Sequence, residues 1–171
     1  AIRYMGFIAT MLIIGYVSAL PQFILYKDMT ANKGRTLTAA SQKIITQFQE
    51  PVQITTYVNL LDDNYHSGVP SGHNSDKKRF DMYLRYMPYL KMDYVYYWDH
   101  VANDRIYKEN PGLNDEQIAR KMAKINKLPF DMFLTPKQIR EKIDLSTERN
   151  RFLRVLTYKD KSAYLRVYDD L

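Results

Sequence analysis

Val52-Gln53-Ile54-Thr55-Thr56-Tyr57-Val58-Asn59-Leu60 and Met92-Asp93-Tyr94-Val95-Tyr96-Tyr97-Trp98 decide the fold class of this chain. Both stretches are short and rich in β-branched or aromatic residues, the composition of strands. In the first, Val52, Ile54, Val58 and Leu60 point one way with Thr56 among them. Between the two runs, residues 62–76 read as loop, carrying Gly, Ser, Asn and Asp and broken by Pro70. Residues 77–90 read as an amphipathic helix, with Phe80, Leu84 and Met87 spaced by four and three. Strand, helix and strand over this length imply a right-handed βαβ unit with a parallel strand pair. The fold class is therefore α/β.

Outward from that unit, Thr38 caps an expected helix over residues 39–48, with Ala40, Ile44 and Phe48 on one face, and Pro51 ends it. Downstream, Ile118, Met122 and Ile125 define a helix after Asn114, and Thr135-Pro136 opens a short one carrying Ile139 and Ile143. Residues 152–158 and 163–168 flank the polar turn Lys159-Asp160-Lys161-Ser162, a C-terminal β-hairpin that completes a partly parallel sheet. Leu153 and Val155 alternate in its first arm, and Ala163, Leu165 and Val167 in its second.

Upstream, no charged residue occurs between Tyr4 and Tyr26. Crossing the hydrocarbon core takes about 20 apolar residues. Tyr4 and Tyr26 stand where interfacial aromatics belong, with Arg3 and Lys27 outside them. An N-terminal transmembrane helix is expected, an anchor over residues 1–27 that meets the lipid bilayer through residues 4–26, followed by a domain over 28–171. A signal peptide, suggested by Val17-Ser18-Ala19, and a buried core helix are the competing readings. Lys27, Lys33 and Arg35 follow the span and only Arg3 precedes it, which by charge alone puts the domain in the cytoplasm. The chain starts at Ala1 and stops at Leu171 directly after a strand, so it is expected to be part of a longer polypeptide truncated at its C-terminus.

The bulk numbers narrow the chemistry. Of 171 residues, 46% are hydrophobic, enough for a core, and 15 are tyrosines. The net charge of +6 comes from 25 basic residues interspersed with 19 acidic ones, a mixed solvated surface rather than a nucleic-acid face. With no cysteine there is no disulfide, thiolate catalysis or Cys-ligated zinc. The six glycines form no phosphate-binding loop, and no G-x-S-x-G elbow is present. His66 and His73 share a segment with Asp62, Asp63 and Asp76 but lack tight ligand spacing, so no metal and no cofactor are expected. Asp99 and His100 follow the second strand, where ligands gather in open α/β sheets. Tyr57, Tyr96 and Trp98 complete the set of candidate contact residues.

Four stretches together resemble the gliding-motility-type ABC-transporter auxiliary family (GldG-like) of bacteria. Lys27-Asp28-Met29-Thr30-Ala31-Asn32-Lys33-Gly34-Arg35-Thr36-Leu37-Thr38 is similar to its post-membrane pattern of Asp-x-Thr, a basic residue and a Thr-Leu-Ser/Thr helix start. Pro51-Val52-Gln53-Ile54-Thr55-Thr56-Tyr57 resembles its first strand. Tyr94-Val95-Tyr96-Tyr97-Trp98-Asp99 resembles its second, with His100 where the family usually has proline. Ile143-Asp144-Leu145-Ser146 and Leu165-Arg166-Val167-Tyr168-Asp169-Asp170 look like its later β segment.

The resemblance implies an extracytoplasmic, non-enzymatic accessory domain on the bacterial cytoplasmic membrane. Its partners would be ABC-transporter permease and ATPase subunits, with ATP hydrolysis on a separate subunit or the domain fused to a permease. It carries over no catalytic residue, and it reverses the orientation that the local charges suggest. Two alternatives are a cell-envelope binding or scaffold module, and a membrane-anchored hydrolase using Asp99 and His100.

Overall fold

The computed structural model describes residues 2–20, 36–102 and 104–166. Helix α1 spans Ile2–Ser18, and a gap in the description separates it from α2, Ala39–Ile45. The domain continues with β1 (Gln53–Asn59), α3 (His73–Arg79), α4 (Asp81–Leu84), β2 (Lys91–Tyr97), α5 (Asp104–Lys108), α6 (Asp115–Ile125) and α7 (Pro136–Lys142). Strands β3 (Leu153–Tyr158) and β4 (Lys161–Arg166) close it. The sheet order is β2-β1-β3-β4, with β1 and β2 parallel and β3 antiparallel to both β1 and β4. The expected α/β class, parallel pair and terminal hairpin are all present.

Both faces of the sheet are covered. On the first, Val58, Leu60, Leu61 and Phe152 pack with Ile118, Ala119 and Ala123 of α6. Beside them Val52 and Ile54 pack on Phe80 and Leu90. On the second face, Tyr97, Leu153 and Val155 pack under Ile139 of α7 and Leu145. The alternation expected in β1 holds: Val52, Ile54, Thr56, Val58 and Leu60 are all buried.

Several expectations need correction. The helix expected at residues 77–90 starts earlier, at His73, and breaks at Phe80, whose φ of −94° and ψ of 4° separate α3 from α4. Lys77, Lys78 and Arg79 therefore stand in the last turn of α3, where positive charge favours the helix dipole, rather than at a helix start, where it opposes it. Residues 62–76 also hold two 3₁₀ turns, at Tyr65–Ser67 and Pro70–Gly72. Helix α2 is capped by Thr38, as expected, but buries Ile45 while Ile44 stays exposed. It ends after two turns, so Phe48 belongs to a turn and meets Tyr158 edge-on at 4.7 Å. Helix α6 carries the Asn114–Gln117 capping box, yet its inward face is Ile118, Ala119 and Ala123, leaving Ile125 exposed. The hairpin turn is the two residues Lys159-Asp160, with Lys159 at φ 54°, and the register sets Ala163 opposite Leu156.

Helix α1 covers only the first part of the expected span. It has 17 residues, about 25 Å of helix, against a hydrocarbon core of about 30 Å. Among the described residues no helix is long and apolar enough to cross a membrane. The helix frays at Ala19 and Leu20, just ahead of Pro21, whose ring disfavours helical backbone in the residue before it. Residues 21–26 of the expected span, the 27/28 boundary, the Lys27–Arg35 motif and Val167–Asp170 lie outside the described residues. The large apolar side chains of α1 from Tyr4 to Val17 are exposed, so it is not a buried core helix.

Candidate functional site

The carboxyl ends of β1 and β2 carry the polar groups singled out by sequence. Asn59, the last residue of β1, is buried and ties three chain segments together. Its Nδ2 donates to the Asp99 carbonyl at 2.9 Å and the Asn150 carbonyl at 2.8 Å, while Oδ1 accepts from Leu61 N at 3.0 Å. Tyr97 Oη also donates to the Asn150 carbonyl, at 2.9 Å. Asn150 reaches this position because it and Arg149 adopt left-handed φ of 52° and 56°, which asparagine tolerates better than most residues. Burial pushes the Tyr97 phenol up, helped by the nearby Asp62 and Asp99 charges.

Asp99 and His100 are adjacent in sequence but serve different neighbours. The Asp99 carboxylate, side chain 6% exposed, accepts the His100 amide at 2.8 Å and Arg140 Nη2 at 2.8 and 3.1 Å. Arg140 is brought there by the bridge between Tyr97 and Leu134, which leads into the Thr135–Gln138 capping box of α7. The His100 ring is 67% exposed and turns to Asp115, 3.3 Å from Nδ1, and to the Tyr107 hydroxyl at 3.1 Å. Burial pushes that phenol up to about 12. The carboxylate and the imidazole thus form no dyad, and Asp99 is an interior anchor for α7.

The aromatic candidates do not form one surface. Tyr57 packs on the second face beside Leu153 and Val155, whereas Tyr96 and Trp98 pack on the first with Phe133 and Phe130. All three are half-buried, and burial raises the pKa of Tyr57, and of Tyr96 to about 12.

A second polar centre was missed from sequence. In register across β2, β1 and β3 lie Tyr94, Thr56 and Arg154. Asp76 of α3 sits above this row, and both its side chain and that of Arg154 are 0% exposed. The Asp76 carboxylate accepts from Arg154 Nη2 and, at 2.9 Å, from the Tyr94 hydroxyl. The guanidinium lies over the rings of Phe152 and Phe80, 4.8 and 5.4 Å from their centroids. Among the described residues, Arg154 Nε and Nη1 and Thr56 Oγ1 have no hydrogen-bond partner. Burial pushes the guanidinium below its ordinary value, with Asp76 opposing. His73, one turn before Asp76, stacks on Tyr94 at 3.8 Å. A carbonyl can only accept, so its Nε2, 2.9 Å from the Gly68 carbonyl, carries a proton, which the Tyr96 hydroxyl at 2.7 Å shares. Gly68 itself is held against Val58, where a Cβ would come within 2.3 Å of a methyl group.

The signal for this centre was Arg154 itself, a charge between Leu153 and Val155 in a strand covered on both sides. His73 and Asp76 are committed here, and among the described residues no cluster of three His, Cys, Asp or Glu could hold a metal.

At the opposite end of the sheet, where β1 and β2 begin, an open groove of about 270 Å³ runs between the end of α2 and the segment before β2. Phe48, Val52, Met87, Tyr89 and Leu90 line it, with Glu50 on the rim. No family model, no curated protein and no solved structure matches this chain.

Proposed function

We propose that this chain is a membrane-anchored, non-catalytic α/β domain serving as an extracytoplasmic accessory part of an ABC-type transport assembly. The observation that carries the reading is α1: a helix with no charged residue after Arg3, exposing its apolar side chains from Tyr4 to Val17 to the surroundings. A soluble domain rarely leaves so large an apolar surface uncovered, and lipid is the solvent that suits it. With residues 19–26 continuing the uncharged run, the segment has the length of a span. The interlocked strand ends support a binding or scaffolding role over hydrolysis, because Asp99 is engaged by Arg140 and His100 turns elsewhere. The transport assignment rests on the resemblance to the GldG-like family, whose members work beside separate ATPase subunits.

The absence of cysteine makes the test clean. Lys124→Cys in the full chain, expressed in bacteria, is expected to react with a membrane-impermeant maleimide in intact spheroplasts, with the protein retained in membranes after carbonate washing. An ATP-binding-cassette subunit and its permease should co-purify. Release by carbonate would end the anchor reading; labelling only after lysis would end the extracytoplasmic one; purification without either subunit would leave a scaffold.

A further inference from the structure

We infer that the groove at the start of β1 and β2 is a membrane-docking face that seats the domain on the headgroup region of an anionic bilayer; this rests on the anchor reading of α1. Three observations carry it. The first is apolar exposure at one place. Tyr89 is 73% exposed and Phe48 is also exposed, both lining the groove. Aromatic side chains with one apolar and one wet end belong at the membrane interface.

The second is where the chain arriving from α1 joins the domain. Thr36 Oγ1 lies 2.7 Å from the hydroxyl of Tyr86, a residue of the groove wall, and the following Leu37 is buried with its carbonyl held by Gln42 Nε2 at 2.7 Å. The tether thus enters at this end of the sheet, and an anchor in lipid draws this end toward the bilayer.

The third is charge. Lys43 in the last turn of α2 and Lys91 directly after Leu90 are exposed around the groove. The rim carboxylate Glu50 is paired with Lys159 at 3.3 Å, and Asp81 with Arg85. Asp93, two residues past Lys91, accepts from Gln53 Nε2 at 2.9 Å, and Asp160 follows Lys159. With Lys43, Arg85, Lys91, Lys159 and Lys161 against Glu50, Asp81, Asp93 and Asp160, the surround is positive by one, the sign that anionic phospholipid headgroups require. The polar strand ends, a strand length of roughly 20 Å away, face outward in this pose.

Full-length single-cysteine variants carrying an environment-sensitive fluorophore test it in vesicles of phosphatidylcholine with and without one-quarter phosphatidylglycerol. The variants are Tyr89→Cys in the groove, Met11→Cys on α1 and Lys124→Cys on the far side. The Tyr89→Cys label should lose at least about half its emission to a shallow spin-labelled lipid and become severalfold less accessible to iodide, more so on the anionic vesicles. The Lys124→Cys label should stay in water.

A Tyr89→Cys label left open to iodide while the Met11→Cys label is quenched by lipid overturns the docking face and leaves the anchor standing. Shielding from iodide without lipid quenching means protein covers the groove, and also overturns it. Equal quenching on both vesicle types overturns the choice of an anionic surface. A Met11→Cys label untouched by lipid overturns anchor and docking together.

Discussion

Two arginine–carboxylate pairs pin helices to this sheet, one on each face, and they differ in almost everything but their chemistry. Asp76–Arg154 is wholly dry, with both side chains 0% exposed. Asp99–Arg140 joins a buried carboxylate to a guanidinium that is 60% exposed. In the first pair neither charge can recover water if its partner is lost, so the attraction mainly offsets a desolvation penalty that both groups have already incurred. In the second, Arg140 returns to solvent when its partner is removed, and the effect of the pair is correspondingly small. Losing one partner is therefore costly on the first face and modest on the second.

The largest effect should come from Asp76→Ala, which leaves the guanidinium buried and uncompensated and is expected to lower unfolding free energy in urea by about 3–5 kcal/mol. The double variant Asp76→Leu/Arg154→Met should regain most of that loss, since apolar side chains of similar volume remove the charge as well as its partner. A double variant as unstable as the single one would mean that the pair contributes something packing cannot replace.

A smaller loss, about 1–2 kcal/mol, is expected for Asp99→Ala, which removes one charge-assisted bond and the acceptor of the His100 amide. Equal losses at Asp76 and Asp99 would break the contrast, because burial would then not be what separates the pairs. High salt should narrow the Asp99→Ala deficit and leave the Asp76→Ala deficit unchanged.

The smallest effect is a pH dependence. Tyr96, whose hydroxyl meets His73 beside the Asp76–Arg154 pair, is pushed up to about 12 by burial. The unfolded chain releases this proton near pH 10, so the folded state holds more protons between about pH 10 and 12 and stability falls as pH rises through that window. Tyr96→Phe should flatten part of that alkaline slope in urea unfolding, and an unchanged slope would place the titration elsewhere.

How far the sequence could be read depends on the range of the forces involved. Strands β1 and β2, the Thr38 cap, the helix starts after Asn114 and at Thr135-Pro136 and the terminal hairpin were legible, because alternation and capping act over a few residues. The break at Phe80 was not, since the apolar spacing of Phe80, Leu84 and Met87 suits one helix or two short ones. Ile44, Phe48 and Ile125 were misjudged for the same reason: periodicity identifies apolar positions, but packing partners decide which are buried. At the candidate site, proximity in sequence suggested a working pair in Asp99 and His100, and the backbone sends their side chains apart. Arg154 stood out as a charge within a buried strand, but its partner Asp76, 78 positions away, was not legible.

By itself, then, the sequence determined the α/β class, the parallel and antiparallel strand types, the starts of α2, α6 and α7 and an uncharged run of apolar residues at the N-terminus. These are local properties, set by side-chain alternation, turn chemistry and hydropathy within single segments. The tertiary structure alone decided that both faces of the sheet are covered, that a charge from β3 is neutralised by α3, and that Asp99 anchors α7. It also decided that the groove opens beside Thr36 and Leu37. Each of these depends on the desolvation of groups brought together from distant positions, a cost that no single segment carries before the chain folds.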